Sequence, residues 1–199
     1  MASSIETTST TTTLKNNGTA YISVDTNENV TLAHPLALAQ GGSGAVSVNG
    51  IVQIVNTQTG AVAQSTTVMP IDNTIPQITE GAEYMTLAIT PKHADNLLLI
   101  QSIAQISVNT GTSMGMALFV GTTANALAAI GGNFNGGSVN RGMSLTHHMV
   151  AGGTSELTFR IRIGSGASGT TAFNSGEAVG TRLFGGVCAS SITITEYSV

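Results

Sequence analysis

The strongest constraint on the fold is a two-residue alternation of apolar and polar side chains that recurs along the chain. In "ELTFRIRIG", the odd positions from 157 to 163 are apolar, and Arg160 and Arg162 occupy two of the even positions. This period is typical of a β-strand with one face buried. The segments "EYMTLAIT", "SMGMALFVG" and "SSITITEY" repeat it. The predicted inward residues are Met85, Leu87 and Ile89; Met114, Met116, Leu118 and Val120; Leu157, Phe159, Ile161 and Ile163; and Ile192 and Ile194.

A longer strand is predicted in "NLLLIQSIAQISVNTG", where a continuous apolar run, 97–100, precedes the alternation and indicates burial on both faces. Glycine-containing turns separate the strands at short intervals. Short strands between such turns indicate a β-sandwich or jelly roll, which we assign to a head at 76–199. Only 122–132, "TTANALAAIGG", resembles a helix, with one helical turn expected.

The N-terminal part differs from the head in composition. Residues 1–18 are rich in Ser and Thr and predict an extended arm, because so few apolar groups do not offset the entropy of ordering. Residues 19–75 predict two short hairpins, with turns at 27–29 and 57–60. Isolated hairpins are marginal in water, so both are expected to need neighbouring chains. A glycine-rich hinge at 41–44 separates them.

That hinge lies in "AQGGSGA", residues 39–45, which raises the question of a phosphate-binding loop. A Walker-type loop needs a Lys after its last glycine, and none is near. A dinucleotide fingerprint needs a helix next, whereas "AVSVNGIVQIV" predicts a strand. The glycines are therefore interpreted as a connector, with no cofactor.

The charge pattern excludes several kinds of partner. Only 8% of residues are charged, against roughly 25% in an average soluble domain. The six cations are scattered, so no nucleic-acid surface is predicted. No apolar run approaches a membrane span of ~18 residues, and the N-terminus does not resemble a secretory signal, so cytoplasmic synthesis is expected. The single cysteine, Cys188, lies among small apolar residues and predicts a buried, inert thiol.

No catalytic constellation is predicted. Glu80 and Glu83 flank Gly81 with no other acid nearby, so we interpret them as solvated or contact carboxylates. Asp25, Asp72 and Asp95 lie in turn-like contexts, where Asp commonly hydrogen-bonds its own backbone. A Gly-x-Ser-x-Gly elbow between a strand and a helix is missing. The chain is expected not to be an enzyme.

Two further groups allow alternative interpretations. The adjacent residues His147 and His148 point to opposite faces of a strand, so one chain cannot bind a metal with both. Either they are core or interface residues, or one of them forms an axial metal site in a trimer. Glu196 is in phase with the buried isoleucines of its strand; it either lies where the strand leaves the core or pairs with Arg160 or Arg162.

Two segments resemble known families. "LAHPLALAQGGSGA", residues 32–45, resembles the Gly-Gly-Thr-Gly connector of bacteriophage tail-fibre proteins, with Ser43 in place of Thr. A second resemblance begins at "MPIDNTIPQITEGAEYMTLAITPKHADNLLLI", residues 69–100, and continues through "ALFVGTTANALAA", "FRIRIG", "RLFGG" and "SSITITEY". It is similar to a domain of phage and prophage fibre or head-associated proteins.

These resemblances imply a homotrimeric, non-enzymatic virion protein. Its arm attaches to other virion proteins, and its head is a jelly roll of the type seen in trimeric TNF and C1q-like domains. Two functions remain open: a tail fibre whose head contacts a host glycan or protein, and a capsid head fibre or decoration protein. The polar loop at 131–142 is interpreted either as a glycan-binding loop or as an exposed turn.

Overall fold

The protein is described from a computed structural model. The structure describes residues 3–7, 11–16, 19–25, 30–32, 50–109, 113–133, 140–176 and 180–199. The predicted turn at 27–29, the hinge at 41–44 and the centre of the polar loop, 134–139, lie outside these residues. The chain divides into two compact units, Met1–Asn49 and Gly50–Val199.

The first unit contains a four-stranded antiparallel sheet. Its strands are β1 (Ser3–Thr7), β2 (Thr11–Asn16), β3 (Thr19–Asp25) and β4 (Val30–Leu32), paired in chain order. The structure therefore differs from the predicted division at residue 18, because β1 and β2 of the expected arm pair with each other and β2 pairs with β3.

The second unit, the head, consists of strands joined by turns and one short 3-10 turn, Phe184–Gly186. No α-helix occurs in the described residues of the head. Its strands are β5 (Ile51–Thr59), β6 (Ala63–Ser65), β7 (Ala82–Ile89), β8 (Leu97–Val108), β9 (Ser113–Val120), β10 (Ala128–Asn133), β11 (Arg141–Val150), β12 (Leu157–Ser165), β13 (Thr171–Phe173), β14 (Ser175–Gly176), β15 (Thr181–Arg182) and β16 (Ser190–Tyr197).

Most of these strands form two antiparallel sheets. In the large sheet, β8 pairs with β11 along one edge and with β16 and then β13 along the other, and β5 and β6 lie outermost. The small sheet has the order β10-β9-β12-β7. Successive parts of the chain alternate between the sheets, as in a jelly roll. The predicted all-β sandwich is confirmed.

The core lies between the two sheets and consists of the residues that the alternation predicts. Phe159, Ile161 and Ile163 of β12 are fully buried, as are Ile192 and Ile194 of β16. β8 is a single strand of 12 residues, as predicted for a long strand. Its inward residues, Leu98, Ile100, Ala104 and Ile106, are fully buried. The alternation identified the core because each strand turns one face towards the other sheet.

The predicted helical turn at 122–132 is wrong. The backbone N–H of Leu127 donates to the carbonyl of Leu118, and β10 continues this pairing along β9. The tertiary pairing overrides the helix propensity of the alanines, and Gly131 and Gly132 are poor helix formers within the same segment.

The head also begins earlier than the predicted boundary at residue 76. β5 pairs with β16 over most of its length, and β6 pairs with β13, so residues from Gly50 onwards belong to the large sheet. The sequence of β5 indicates a strand, but its partner lies more than a hundred residues away, and no local pattern indicates that pairing.

The outer face of the small sheet is covered by residues 67–81, which we call the strap. The backbone N–H of Met69 donates to the carbonyl of Ser165 at 2.9 Å, and Met69 packs with Ala117 and Phe119 in a second, smaller core. The strap lies so close to β12 that a Cβ at Gly164 would be 2.8 Å from the amide nitrogen of Met69. The strap therefore buries β9 on both faces.

Candidate functional site

The outer face of the large sheet has no comparable cover, and we call it the open face. It contains the residues of four neighbouring strands that alternate with the core residues. They are Ile54, Asn56 and Gln58 of β5; Ser191, Thr193 and Thr195 of β16; Leu97, Leu99, Gln101 and Ile103 of β8; and Ser144, Thr146, His148 and Val150 of β11.

Aliphatic side chains are exposed on the open face. The exposed fractions are 49% for Ile103, 55% for Val150 and 57% for Ile54. Leu97 and Leu99 are half-buried beside them. Transferring such groups from water to an apolar contact is favourable by roughly 25 cal/mol per Å² of area. A face that leaves them in water is therefore a candidate contact surface.

The polar residues of the open face are neutral. None of the open-face residues is Asp, Glu, Lys or Arg, and His148 is the one titratable group among them. The polar members are Ser, Thr, Asn and Gln, and two of them already bond across strands, with Asn56 Nδ2 donating to Thr193 Oγ1 at 2.7 Å. Depletion of charge with retained neutral hydrogen-bonding groups is the composition of the buried part of a protein interface.

Charged groups lie instead on the outer face of the small sheet. Arg160 Nη1 is 3.0 Å from Glu83 Oε2, and Arg162 Nη1 is 3.8 Å from the same oxygen. A bulge in the β7–β12 pairing at Tyr84 lets Tyr84 and Met85 both pack against the core, so that Glu83 remains on the side of the arginines. Glu83 is thus an ion-pair partner, within the range predicted for a contact carboxylate.

The predicted pairing of Glu196 with Arg160 or Arg162 is wrong. Glu196 is fully buried, and its Oε1 accepts from Asn96 Nδ2 at 2.6 Å and from the backbone N–H of Lys92 at 2.8 Å. Its Oε2 accepts from Gln53 Nε2. Burial would raise the pKa of Glu196, but these hydrogen bonds together outweigh it and hold the pKa below its usual value. The carboxylate is therefore satisfied by neutral donors, which sequence analysis did not identify.

His147 and His148 lie near the end of β11. His147 is half-buried and His148 exposed, as expected for adjacent strand residues, and their ring centroids are 6.3 Å apart. Burial, and then the neighbouring His148, lowers the pKa of His147. Within the described residues, no group of three or more potential ligands could hold a metal. An axial site shared between chains stays a prediction.

The remaining predicted site residues do not come together. Glu80 accepts from the backbone N–H of Gln77 at 2.9 Å, and Asp72 accepts from the backbone N–H of Thr74 at 2.8 Å, which confirms its role in a turn. Cys188 is half-buried, less than the predicted buried thiol. The groove between the strap and the small sheet, lined by Met69, Ile71 and Ile130 among others, has a volume of about 160 Å³. That is below the roughly 300 Å³ at which small-molecule sites begin.

Sequence analysis missed the open face, although one signal of it was present. The apolar run at 97–100 indicated cover on both faces of β8. Within the chain, only the inward residues, Leu98 and Ile100, are fully covered. The half-buried Leu97 and Leu99 therefore mark a face whose cover is incomplete.

No protein-family model matches the chain, and no curated protein matches it. Solved structures match weakly. They include dimeric latent PorU from Porphyromonas gingivalis, with 9% identity, TM-score 0.35 and coverage of 77% of this chain and 14% of that one. The infectious bursal disease virus VP2 subviral particle matches with 11% identity, TM-score 0.35 and coverage of 94% and 46%.

Tailspike protein 4 of bacteriophage CBA120, in its enzymatically active domain, matches with 21% identity, TM-score 0.26 and coverage of 63% and 19%. The chain thus spans less than half the length of each of these structures. Similarities at this level assign neither a family nor an activity. Among the described residues, no helix is long and apolar enough to cross a membrane.

Proposed function

We propose that this chain is a non-enzymatic structural subunit of a bacteriophage particle that assembles as a homotrimer through the open face. The observation that carries the proposal is the open face itself, which combines exposed aliphatic residues with no charged residue. The small sheet has its own cover, the strap, whereas the large sheet has none from its own chain.

A second copy of the same chain suits this face better than a charged partner does. An acidic or basic partner would bury its charges against neutral side chains without compensation, at a cost of several kcal/mol per ion. Another open face instead offers aliphatic groups to Ile54, Ile103 and Val150, and amides that both donate and accept to Gln101 and Asn56. Self-association is therefore the arrangement that leaves the fewest polar groups unpaired.

The trimer and the virion location are supported by the sequence. The connector-like segment 32–45 and the segments of the head resemble phage fibre proteins, which are trimeric. In our proposal, the N-terminal unit attaches to other virion proteins, and the head points away from the particle as a tail fibre in contact with the host surface. A capsid head fibre is the alternative attachment.

The first experiment measures the mass of the full chain in solution by light scattering after size exclusion. The expected value is 3 × 20.1 = 60.3 kDa. The variant Ile103→Glu places a charge at the centre of the open face of every subunit and is expected to elute as a 20.1 kDa monomer. Ala88→Glu, on the exposed outer face of the small sheet, is the matched control and should remain at 60.3 kDa.

Two results would refute the trimer: a wild-type mass of 20.1 kDa, or an unchanged 60.3 kDa for Ile103→Glu. The attachment site is tested separately with purified particles. A tail fibre is expected to bind tails or baseplates and not DNA-filled capsids, and a head fibre shows the opposite preference. Binding to neither structure argues against a virion protein even if the chain is trimeric.

A further inference from the structure

The N-terminal sheet, β1 to β4, has an amphipathic pattern that its register makes visible. Ile5 pairs with Leu14, Leu14 with Ile22, and Ile22 with Leu32, so one transverse row of the sheet is aliphatic in all four strands. The rows on either side of this position differ strongly in composition.

The adjacent row is polar throughout and consists of Glu6, Thr13, Ser23 and Thr31. The row after it again contains aliphatic residues, with Val24 paired to Val30. Residues directly opposite each other in an antiparallel sheet share a face, and successive rows alternate between faces. The register therefore assigns the aliphatic rows to one face of the sheet and the polar row to the other.

The aliphatic face is not covered by the chain as the structure describes it. Ile5 is 71% exposed and Ile22 is 38% exposed. A sheet with one apolar face is stable only when a second layer covers that face. The described residues of the first unit contain this one sheet, so the second layer must come from outside it.

The size of the face indicates what kind of layer covers it. Four strands of about 4.8 Å spacing and six residues of about 3.3 Å give a face of roughly 19 by 20 Å, or about 400 Å². A stable interface between independent proteins buries about 800 Å² per partner. The face is therefore too small to hold a free partner and suits a partner that is already tethered.

We infer that the aliphatic faces of the N-terminal sheets pack against one another in the trimer, as a second self-association site separate from the open face. This inference rests on the proposed trimer, because the heads supply the tether. The chain between Leu32 and Gly50 spans at most about 60 Å, which gives the three sheets a high effective concentration. The aliphatic rows contain no charged residue, so identical faces meet without repulsion.

Cysteine cross-linking of the full-length protein tests the inference. Ile22→Cys and Ser23→Cys are adjacent residues of β3 that belong to opposite faces, and each is introduced together with Cys188→Ala. After oxidation with copper phenanthroline, Ile22→Cys is expected to give a covalent dimer of 2 × 20.1 = 40.2 kDa on a non-reducing gel. Ser23→Cys is expected to give at least fivefold less dimer. The mass of each variant before oxidation is measured by light scattering.

The outcomes separate this inference from the proposed trimer. Preferential cross-linking of Ile22→Cys in a 60.3 kDa assembly supports both. Equal cross-linking of the two variants, or none, in a 60.3 kDa assembly overturns the packing of the sheets and leaves the trimer in place. Adding Ile103→Glu should abolish the preference, because the tether is lost; a preference that survives in a monomeric preparation contradicts the tethered arrangement.

Discussion

Replacing Glu196 with Gln is expected to destabilise the head by about 2–3 kcal/mol. The amide oxygen of Gln can take the place of Oε1 and keep the hydrogen bonds from Asn96 and Lys92. Its NH2 group then faces Gln53 Nε2, a second donor. Gln53 cannot simply turn over, because the same nitrogen donates to the carbonyl of Thr90 at 2.8 Å. One charge-assisted bond is lost and others are weakened, which accounts for the magnitude.

The effect of this substitution depends on pH, with a sign set by the lowered pKa of Glu196 in the folded protein. An unfolded Glu has a pKa of about 4.3. The stabilisation is therefore fully present above that value and is lost as the pH falls through the folded-state pKa. The variant has no titrating group at this position, so the difference in stability between the two proteins should shrink between pH 5 and pH 3.

Urea unfolding measures the difference, followed by far-ultraviolet circular dichroism because the chain lacks Trp. At equal protein concentration and pH 7, the midpoint should fall by roughly 1–1.5 M for a slope of about 2 kcal/mol per M. Glu156→Gln, at an exposed position, is the control and should change stability by less than about 0.5 kcal/mol. Equal midpoints at pH 7, or a difference unchanged at pH 3, would refute the reasoning.

Two further predictions concern the strap and the core. Gly164→Ala places a methyl group against the backbone of Met69 and should cost about 1–3 kcal/mol in unfolding, whereas Gly153→Ala meets nothing within 4 Å and should cost less than about 0.5 kcal/mol. Burial raises the pKa of Tyr84 to about 12. Ultraviolet titration should therefore show a late tyrosinate step that is absent in Tyr84→Phe, and stability should fall as the pH rises above about 10.

Local patterns predicted the strands of the head well and their partners poorly. The alternation in β12 identifies its buried face because burial on one side leaves a direct two-residue period. The same pattern in β9 identified Met114, Met116 and Leu118, but it did not indicate that Phe119 on the other face is also buried. That face is covered by the strap, whose path depends on close approach to glycines and not on a period.

The site was harder to predict than the fold for a related reason. The partners of Glu196 come from β5 and from the turn before β8, so three distant segments had to be assembled before they could be recognised. The open face is likewise a property of four strands side by side. Each strand shows a few exposed aliphatic residues, and only the register shows that they are adjacent and that no charged residue lies among them.

The pairing of β5 with β16 has a consequence for the order of folding. The backbone N–H of Gly50 donates to Ser198 Oγ, and the two residues are separated by 148 positions. β5 therefore emerges from the ribosome long before its partner and stays an unpaired apolar strand until β16 has been synthesised. Closing so long a loop carries an entropic cost before any contact compensates it, so the head is expected to fold slowly and after translation of β16. During that interval β5 is the segment most exposed to mispairing between nascent chains.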